Sequence, residues 1–397
     1  MKLRTLRPLG RPMVAAALLG ASALWAQDEA PADELTWDAA DEAALEAELE
    51  ALLDDLQPGA WQVLGGVSAA WGQRENPGLS TVLPESANFG EVGLEAFARR
   101  ESARWDSLFM LDGRTRWYDG HPVIDDEAAW FGRGELRVRP LSWLQLGVSS
   151  QGYWQDQVLD LTETIGARTV APLQVTGGDV GSALRLSLPW GFAIEGGGRL
   201  LRADYEGVPE DYDAQEWRGE LSWTPWSWLE LVGATTSTER DYDYRREATV
   251  GGRLLDDTIL GLQQDGLEAR VRVRFTAVGT WRMEGRWSEL ENRDGASGFY
   301  DYDRDRWSAE LGWSFGDWRL QGRYERSDLD YLVQTVGAGL TPEARTQADR
   351  FWEIEARRTV GEHWEVFGRW EQDDSRSNEI DASYTDETVK LGVNYLF

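Results

Sequence analysis

Arginine and glutamate recur at every second position in several segments of the second half of the chain. Residues two apart point to the same face of a β-strand, so each series forms a charged stripe. A stripe of this kind can form bidentate ion pairs with facing carboxylates, or it can attract small anions from solution. The sequence leaves both chemistries open. The candidate residues are Arg270, Arg272, Arg274, Arg282, Glu284, Arg286, Arg319, Arg323, Glu353, Glu355 and Arg357.

Patterns for catalysis or metal binding are weak. The chain has two histidines, and His121 has Asp119, Asp125 and Asp126 close by in sequence. An Asp/His pair can activate water, but a turn built around Gly120 explains the same residues more simply. The chain has no cysteine, which excludes thiolate metal sites and cysteine nucleophiles, and it has no phosphate loop, zinc spacing or nucleophile elbow. We therefore predict no enzyme activity, no cofactor and no bound metal.

The elements that position the charged stripes are β-strands with a hydrophobic period of two. Leu267, Val271 and Phe275, for example, alternate with charged residues. The same period runs from Trp61 to the carboxyl end and predicts sixteen strands. They lie at 61–73, 90–103, 106–118, 127–139, 143–155, 179–189, 191–205, 213–224, 228–240, 262–276, 280–293, 302–315, 317–330, 346–360, 364–375 and 383–397.

The connections between these strands alternate between short and long. Tight turns are predicted at 140–142, 189–191, 224–227, 277–279, 315–317 and 361–363. Long links at 156–178, 205–212, 241–261, 294–301, 331–345 and 376–382 fall between them. An even number of strands with short turns at one end and long loops at the other is typical of transmembrane β-barrels. Several of the long links repeat aspartate and tyrosine, which favours hydrated, acidic loops.

Tryptophans cluster at the short turns. An indole at that position can place its ring in lipid and its N–H among headgroups, which predicts an aromatic girdle at one membrane interface. A general preference of tryptophan for strands would not concentrate it at one end. The members of this girdle are Trp143, Trp190, Trp226, Trp228, Trp281, Trp318 and Trp364.

We therefore predict an all-β fold, a transmembrane antiparallel up-and-down β-barrel of about sixteen strands. The apolar face of each strand would contact lipid, and the charged face would line the interior. A soluble propeller or sandwich also has many short strands, but its charged faces would have to lie in water around an apolar core. The charge on the polar faces and the asymmetry of the connections argue against that alternative.

The last strand carries a resemblance to a known class. Val389, Leu391, Val393, Tyr395 and Phe397 alternate with polar residues, and the sequence stops on the aromatic residue. This pattern resembles the closing strand of Gram-negative outer-membrane β-barrels, and residues 58–397 resemble porin-like outer-membrane barrels as a class. The resemblance implies a location in the outer membrane of a Gram-negative bacterium, with outer-membrane lipid and lipopolysaccharide as neighbours. It implies that Tyr395 and Phe397 signal to the barrel-assembly machinery, and it allows a homo-trimer.

The N-terminal segments have a different character. Residues 1–26 carry four basic residues before an apolar stretch and predict a signal peptide, cleaved after Ala26 or Ala23. Residues 27–57 are acidic with a helical leucine pattern, which predicts a short periplasmic helix or linker; a trimerising or barrel-plugging helix stays open as an alternative. The formal net charge of −30 becomes −34 without the signal peptide and argues against nucleic acid as a partner.

Two functions follow from this architecture. The first is passive passage of small hydrophilic solutes or ions, because a barrel of sixteen strands is of the size that leaves a water-filled lumen. The second is a non-conducting or plugged barrel that acts as a scaffold or an export component for polysaccharide or protein. An Arg/Glu lattice, the 156–178 link or the acidic helix would close the lumen in that case.

Overall fold

The computed structural model describes residues 60–81, 84–121, 124–160, 170–337, 341–379 and 382–397. They form one closed antiparallel barrel in which each strand pairs with its neighbours in sequence and the first strand pairs with the last. The predicted fold class is therefore confirmed. The strands are β1 Trp61–Arg74, β2 Ala87–Glu101, β3 Trp105–Asp119, β4 Asp126–Leu141, β5 Leu144–Asp160, β6 Val170–Ser187, β7 Phe192–Tyr205, β8 Tyr212–Trp226, β9 Leu229–Tyr242, β10 Gly261–Ala277, β11 Gly279–Asp294, β12 Tyr302–Phe315, β13 Trp318–Val336, β14 Glu343–Val360, β15 Trp364–Ser377 and β16 Tyr384–Leu396.

The predicted signal peptide at 1–26 and the predicted helix at 27–57 lie outside the described residues. Within the described part of the chain, no helix has the length and apolar character needed to cross a membrane.

Short and long connections alternate around the barrel. We call the end with the short turns the turn end and the opposite end the loop end. The tightest connection is Val278 between β10 and β11, followed by Gly279 with φ of 87°. A Cβ on Gly279 would lie 2.4 Å from the carbonyl oxygen of Ser314, so this turn requires glycine.

The barrel closes where β1 meets β16. The register runs from Gly66 opposite Leu396 to Arg74 opposite Thr388. Beyond it, the backbone N–H groups of Gly65 and Phe397 donate to each other's carbonyl oxygens, at 3.1 and 2.9 Å. A Cβ on Gly65 would lie 2.4 Å from the Phe397 ring, so the aromatic side chain lies directly over this glycine. We call this junction the seam.

The outer face of the wall is apolar over a limited height. On β10 the outward residues from Phe275 to Leu267 are apolar, and the next outward residue toward the loop end is Asp265. Eight residue steps at about 3.3 Å, tilted by about 40°, give a belt roughly 20 Å high. Neighbouring strands change at the same height, since the outward Trp287 and Trp307 are followed by Glu289 and Asp305.

One strand boundary differs strongly from the prediction. β6 begins at Val170 rather than 179 and pairs with β5 as far as Asp160, so most of the predicted 156–178 link is strand. Pro172 lies in this strand, although proline is disfavoured in the middle of a sheet. However, β7 ends at Tyr205 opposite Val175, and beyond it only the N–H of Glu206 donates to the carbonyl oxygen of Gln174, over 2.9 Å, so residues 170–173 pair with β5 alone. Proline is tolerated on such a free edge because its missing N–H has no partner to lose there.

At the loop end the two faces exchange character. Tyr205, Tyr212, Tyr242 and Tyr300 are buried inside the barrel end, in a cluster with Leu173, Val175, Ala203, Ala214, Ala248, Leu260 and Leu262. The outward residues at this height are charged, as Arg202 and Asp213 are. The prediction of hydrated loops is therefore wrong for these four tyrosines, whereas Tyr244 is exposed. Their alternation with aspartate is the period of strands that continue beyond the apolar belt.

Candidate functional site: the inner wall

The eleven charged residues predicted as candidates share the inner face of the barrel. Side chains converge on the concave side of a curved sheet, so residues two strands apart can meet there. Arg218 on β8 lies 3.4 Å from Glu268 on β10, and Arg270 on β10 lies 3.7 Å from Glu220 on β8. Alternation along each strand then places the other ten candidates on the same face as Arg270.

In the charged stripes predicted for β10 and β11, carboxylates separate the arginines. Arg270 lies opposite Arg286 in the register, and Arg274 lies opposite Arg282. Like charges in such positions repel, and glutamates intervene. Nε of Arg272 donates to Glu284 over 2.6 Å and its Nη1 to Glu230 over 3.2 Å. Arg286 lies 2.9 Å from Glu268.

The wall formed by β13 to β16 has a denser lattice of ion pairs. Nη2 of Arg369 donates to Glu353 over 2.9 Å, and its Nη1 lies 3.9 Å from Glu355. Glu355 also accepts a hydrogen bond from Arg357. These four side chains are almost completely buried. Removing one partner from such a group leaves a buried charge without compensation, so the lattice stabilises this part of the wall only as a complete set.

A second network crosses the seam and was not predicted. Nε of Arg74 on β1 donates to Asp386 on β16 over 2.6 Å, and its Nη1 donates to Glu127 on β4 over 3.2 Å. Tyr118 on β3 donates its hydroxyl to the same carboxylate over 2.6 Å. Lys390 on β16 donates to Glu91 on β2 over 2.9 Å. Four strands are thus joined through one guanidinium. The predicted first strand ended at residue 73, one residue before Arg74, so Arg74 was not placed on the inner face.

A buried ion pair also joins two loops at the loop end. Nη1 of Arg245 donates to Glu210 over 2.9 Å, and the guanidinium lies over the rings of Tyr242 and Tyr300 at 4.9 and 4.5 Å. Burial raises the pKa of Glu210, with Arg245 opposing that shift. The nearby Tyr242 and Glu210 raise the pKa of Arg245 against the effect of burial. Because Arg245 lies in the connection 243–260, this pair holds that loop against the tyrosine cluster.

The tryptophans predicted as an interface girdle are at the turn end. Trp143, Trp226, Trp228, Trp318 and Trp364 point outward and are exposed, and Trp190 is 88% exposed in the left-handed conformation with φ of 63°. Trp281 packs between Phe275 and Trp313, at ring distances of 6.2 and 5.8 Å.

A second outward aromatic row, which the sequence analysis missed, lies at the loop-end border of the apolar belt. In this row the ring centroids of Trp287 and Trp307 are 6.3 Å apart, and those of Tyr324 and Trp352 are 4.2 Å apart. The signal was available: these aromatic residues occupy the last apolar outward positions before the outward face becomes charged.

The two histidines have structural contacts. Nδ1 of His121 accepts a hydrogen bond from the backbone N–H of Ile124 over 3.2 Å, which fits the predicted turn. Nδ1 of His363 lies 3.0 Å from the carbonyl oxygen of Leu396. Among the residues that the structure describes, no group of three or more histidine, aspartate or glutamate side chains is placed to hold a metal ion.

No protein-family model matches the sequence, and no curated protein matches it. Solved structures of similar shape include a loop-deletion mutant of OmpT, an outer membrane protein of Vibrio cholerae, with 11% identity, a TM-score of 0.44, and coverage of 86% of this chain and 100% of that one. They also include OccAB4 of Acinetobacter baumannii, with 8% identity, a TM-score of 0.45, and coverage of 86% and 99%. A bacterial polysaccharide outer membrane secretin has 9% identity, a TM-score of 0.40, and coverage of 84% and 98%.

Proposed function

We propose that this protein is an outer-membrane channel for the passive passage of small hydrophilic solutes or ions. One observation carries the proposal: a closed barrel of sixteen strands has an apolar outer belt and a charged inner face. The belt, roughly 20 Å high, is close to the ~25 Å apolar band of outer-membrane barrels. Aromatic rows border it at both ends. Sixteen strands give a circumference that side chains need not fill.

The orientation follows from the connections. Short turns face the periplasm in outer-membrane barrels and long loops face outward, so we place the turn end and the 27–57 segment in the periplasm. Tyr395 and Phe397 would then be the signal that the assembly machinery reads, and lipopolysaccharide would surround the loop end. A homo-trimer is the assembly to test by cross-linking in detergent, because porin-like barrels can associate through their outer faces.

The alternative is a barrel without conductance that serves as a scaffold or an export component. The near-complete burial of Arg357, Arg369, Glu353 and Glu355 favours it, because inner charges in a wide, empty lumen would contact water. In the channel proposal the lattice occupies one part of the lumen and leaves the rest open.

Recordings from planar lipid bilayers distinguish the two functions. The refolded mature protein should give stepwise currents in simple salt solutions. Silence of the full protein together with currents after deletion of residues 27–57 would favour a plugged barrel. Silence of both proteins, with a folded barrel verified by circular dichroism, would overturn the channel proposal.

A further inference from the structure

Two ion pairs near the turn end each join neighbouring strands and have very different exposure. Arg185 on β6 lies 3.3 Å from Glu195 on β7, and Arg357 on β14 lies 3.8 Å from Glu365 on β15. Each residue is within three positions of the turn-end limit of its strand. The side chains of the first pair are 37% and 38% exposed, and those of the second are 2% and 3% exposed. Depth in the barrel does not explain this difference, so the cause lies in what surrounds each pair.

Around the exposed pair the inner wall is built from small residues. A Cβ on Gly181 would lie 2.8 Å from Cγ of Arg199 and 3.2 Å from the hydroxyl of Ser149, so these residues share the inner face. A Cβ on Gly197 would lie 3.2 Å from that of Ala183 in the same way. These residues contribute almost no volume to the lumen. The charged side chains that rise from this wall are therefore not covered by neighbours.

The opposite part of the wall is covered. Lys390 and Glu91 form a pair with 5% and 7% exposure, and Arg369 and Glu353 are 2% and 4% exposed. Each of these side chains extends over its neighbours and closes the space in front of them. Near the turn end the lumen is thus filled by side chains on the side of β14 to β2 and left open on the side of β5 to β8.

We infer that over the turn-end half of the barrel the aqueous path is eccentric and runs along strands β5 to β8, whereas at the loop end the tyrosine cluster covers these strands and the path lies beside it. This inference rests on the proposed channel function and deepens it. A passing ion meets the charged groups Arg185, Glu195 and Arg199. These groups determine the ion selectivity of the channel. Arg199 is 21% exposed and lies 2.7 Å from Glu216, so it is partly screened. The lattice that contains Arg357 holds the opposite wall and does not contact the ion.

The absence of native cysteine allows the path to be mapped with single thiols. Ser149→Cys and Ala183→Cys place a thiol on the open wall. Asn394→Cys and Thr388→Cys are controls on the inner face of β16, where the native side chains are 6% and 4% exposed, and Asn394 lies near the turn end as Ser149 and Ala183 do. Each variant is reconstituted in vesicles, treated with a charged, water-soluble methanethiosulfonate, and followed by mass spectrometry and by channel current.

We expect the two open-wall thiols to react at least about tenfold faster than the two controls and, once modified, to reduce the current. Equal rates, or faster reaction of the controls, would overturn the eccentric path. Current reduced by modification at position 388 but not at 149 or 183 would also overturn it. If the unmodified protein is silent while the labelling contrast persists, the wetted side is established and the proposed channel function fails instead.

Charge provides a second readout. Arg185→Gln should lower the chloride-to-potassium permeability ratio by about twofold, because an exposed charge several ångströms from an ion is worth a fraction of 1 kcal/mol in water. Arg357→Gln should leave the ratio unchanged and lower stability. An unchanged ratio in Arg185→Gln, in a protein that conducts, would contradict the role of this residue.

Discussion

The seam makes the sharpest prediction about stability, because one guanidinium joins four strands there. In Arg74→Met, Asp386 loses its counter-charge while it is only 4% exposed, and Glu127, which is 10% exposed, keeps only Arg116 at 3.5 Å. Leaving buried carboxylates without their partner costs about 3–5 kcal/mol. At about 1.4 kcal/mol per tenfold, the unfolding equilibrium should shift by roughly two to three and a half orders of magnitude.

The measurement is equilibrium urea unfolding of the reconstituted protein, followed by the fluorescence of its 22 tryptophans. A second variant tests the mechanism. Arg74→Met combined with Asp386→Asn and Glu127→Gln removes the uncompensated charges, so most of the loss should be recovered. Arg326→Met is the control, because Arg326 forms only an exposed ion pair, with Asp328. This variant should unfold at the same urea concentration as the parent protein.

Two results would refute this reasoning. One is a loss below about 1 kcal/mol in Arg74→Met, which would mean that water or movement compensates the carboxylates. The other is a triple variant less stable than the single one, which would mean that the contacts of the neutral atoms, rather than the charges, hold the seam.

Three further predictions concern separate parts of the molecule. Gly72→Ala should destabilise the barrel by about 1–3 kcal/mol in the same urea assay, because its Cβ would lie 2.4 Å from the carbonyl oxygen of Val389, whereas Gly90→Ala, with nothing within 4 Å, should not. Glu210→Gln should lower hydrogen-exchange protection at 243–260 at neutral pH, because it leaves Arg245, which is 5% exposed, without its carboxylate; protection equal to that of the parent protein would mean that the pair does not hold this loop. Arg272→Glu should lower the thermal midpoint and change ion selectivity less than Arg185→Gln does. A larger change of selectivity in Arg272→Glu would show that the arginines of β10 and β11 contact the passing ion.

Most of the fold could be predicted because its determinants are local. The period of two, the turn residues and the tryptophans beside them are properties of short segments, and they located all sixteen strands. The failure at β6 has a different origin. Pro172 is acceptable there because β7 has already ended, and this depends on the stagger of three strands, which no short segment encodes.

The candidate site was harder to predict from the sequence than the fold was. Alternation predicts which residues face inward, but the partners of each charge depend on pairing across the barrel. The meeting of Arg218 with Glu268, two strands away, is an example. The open wall between Arg185 and Arg199 was not predicted, because the residues that form it are glycine, alanine and serine. Their effect is to leave space, and a sequence shows space less directly than it shows charge.

The pairing of Gly65 with Phe397 brings together residues that lie more than three hundred positions apart, while every other strand pairing joins sequence neighbours. Fifteen hairpin contacts can form between strands that are neighbours in the chain, but the final one requires both ends of the barrel sequence. Until then, both edge strands present open hydrogen-bonding groups to any other polypeptide. Slow, late ring closure is therefore the kinetic signature that this geometry predicts.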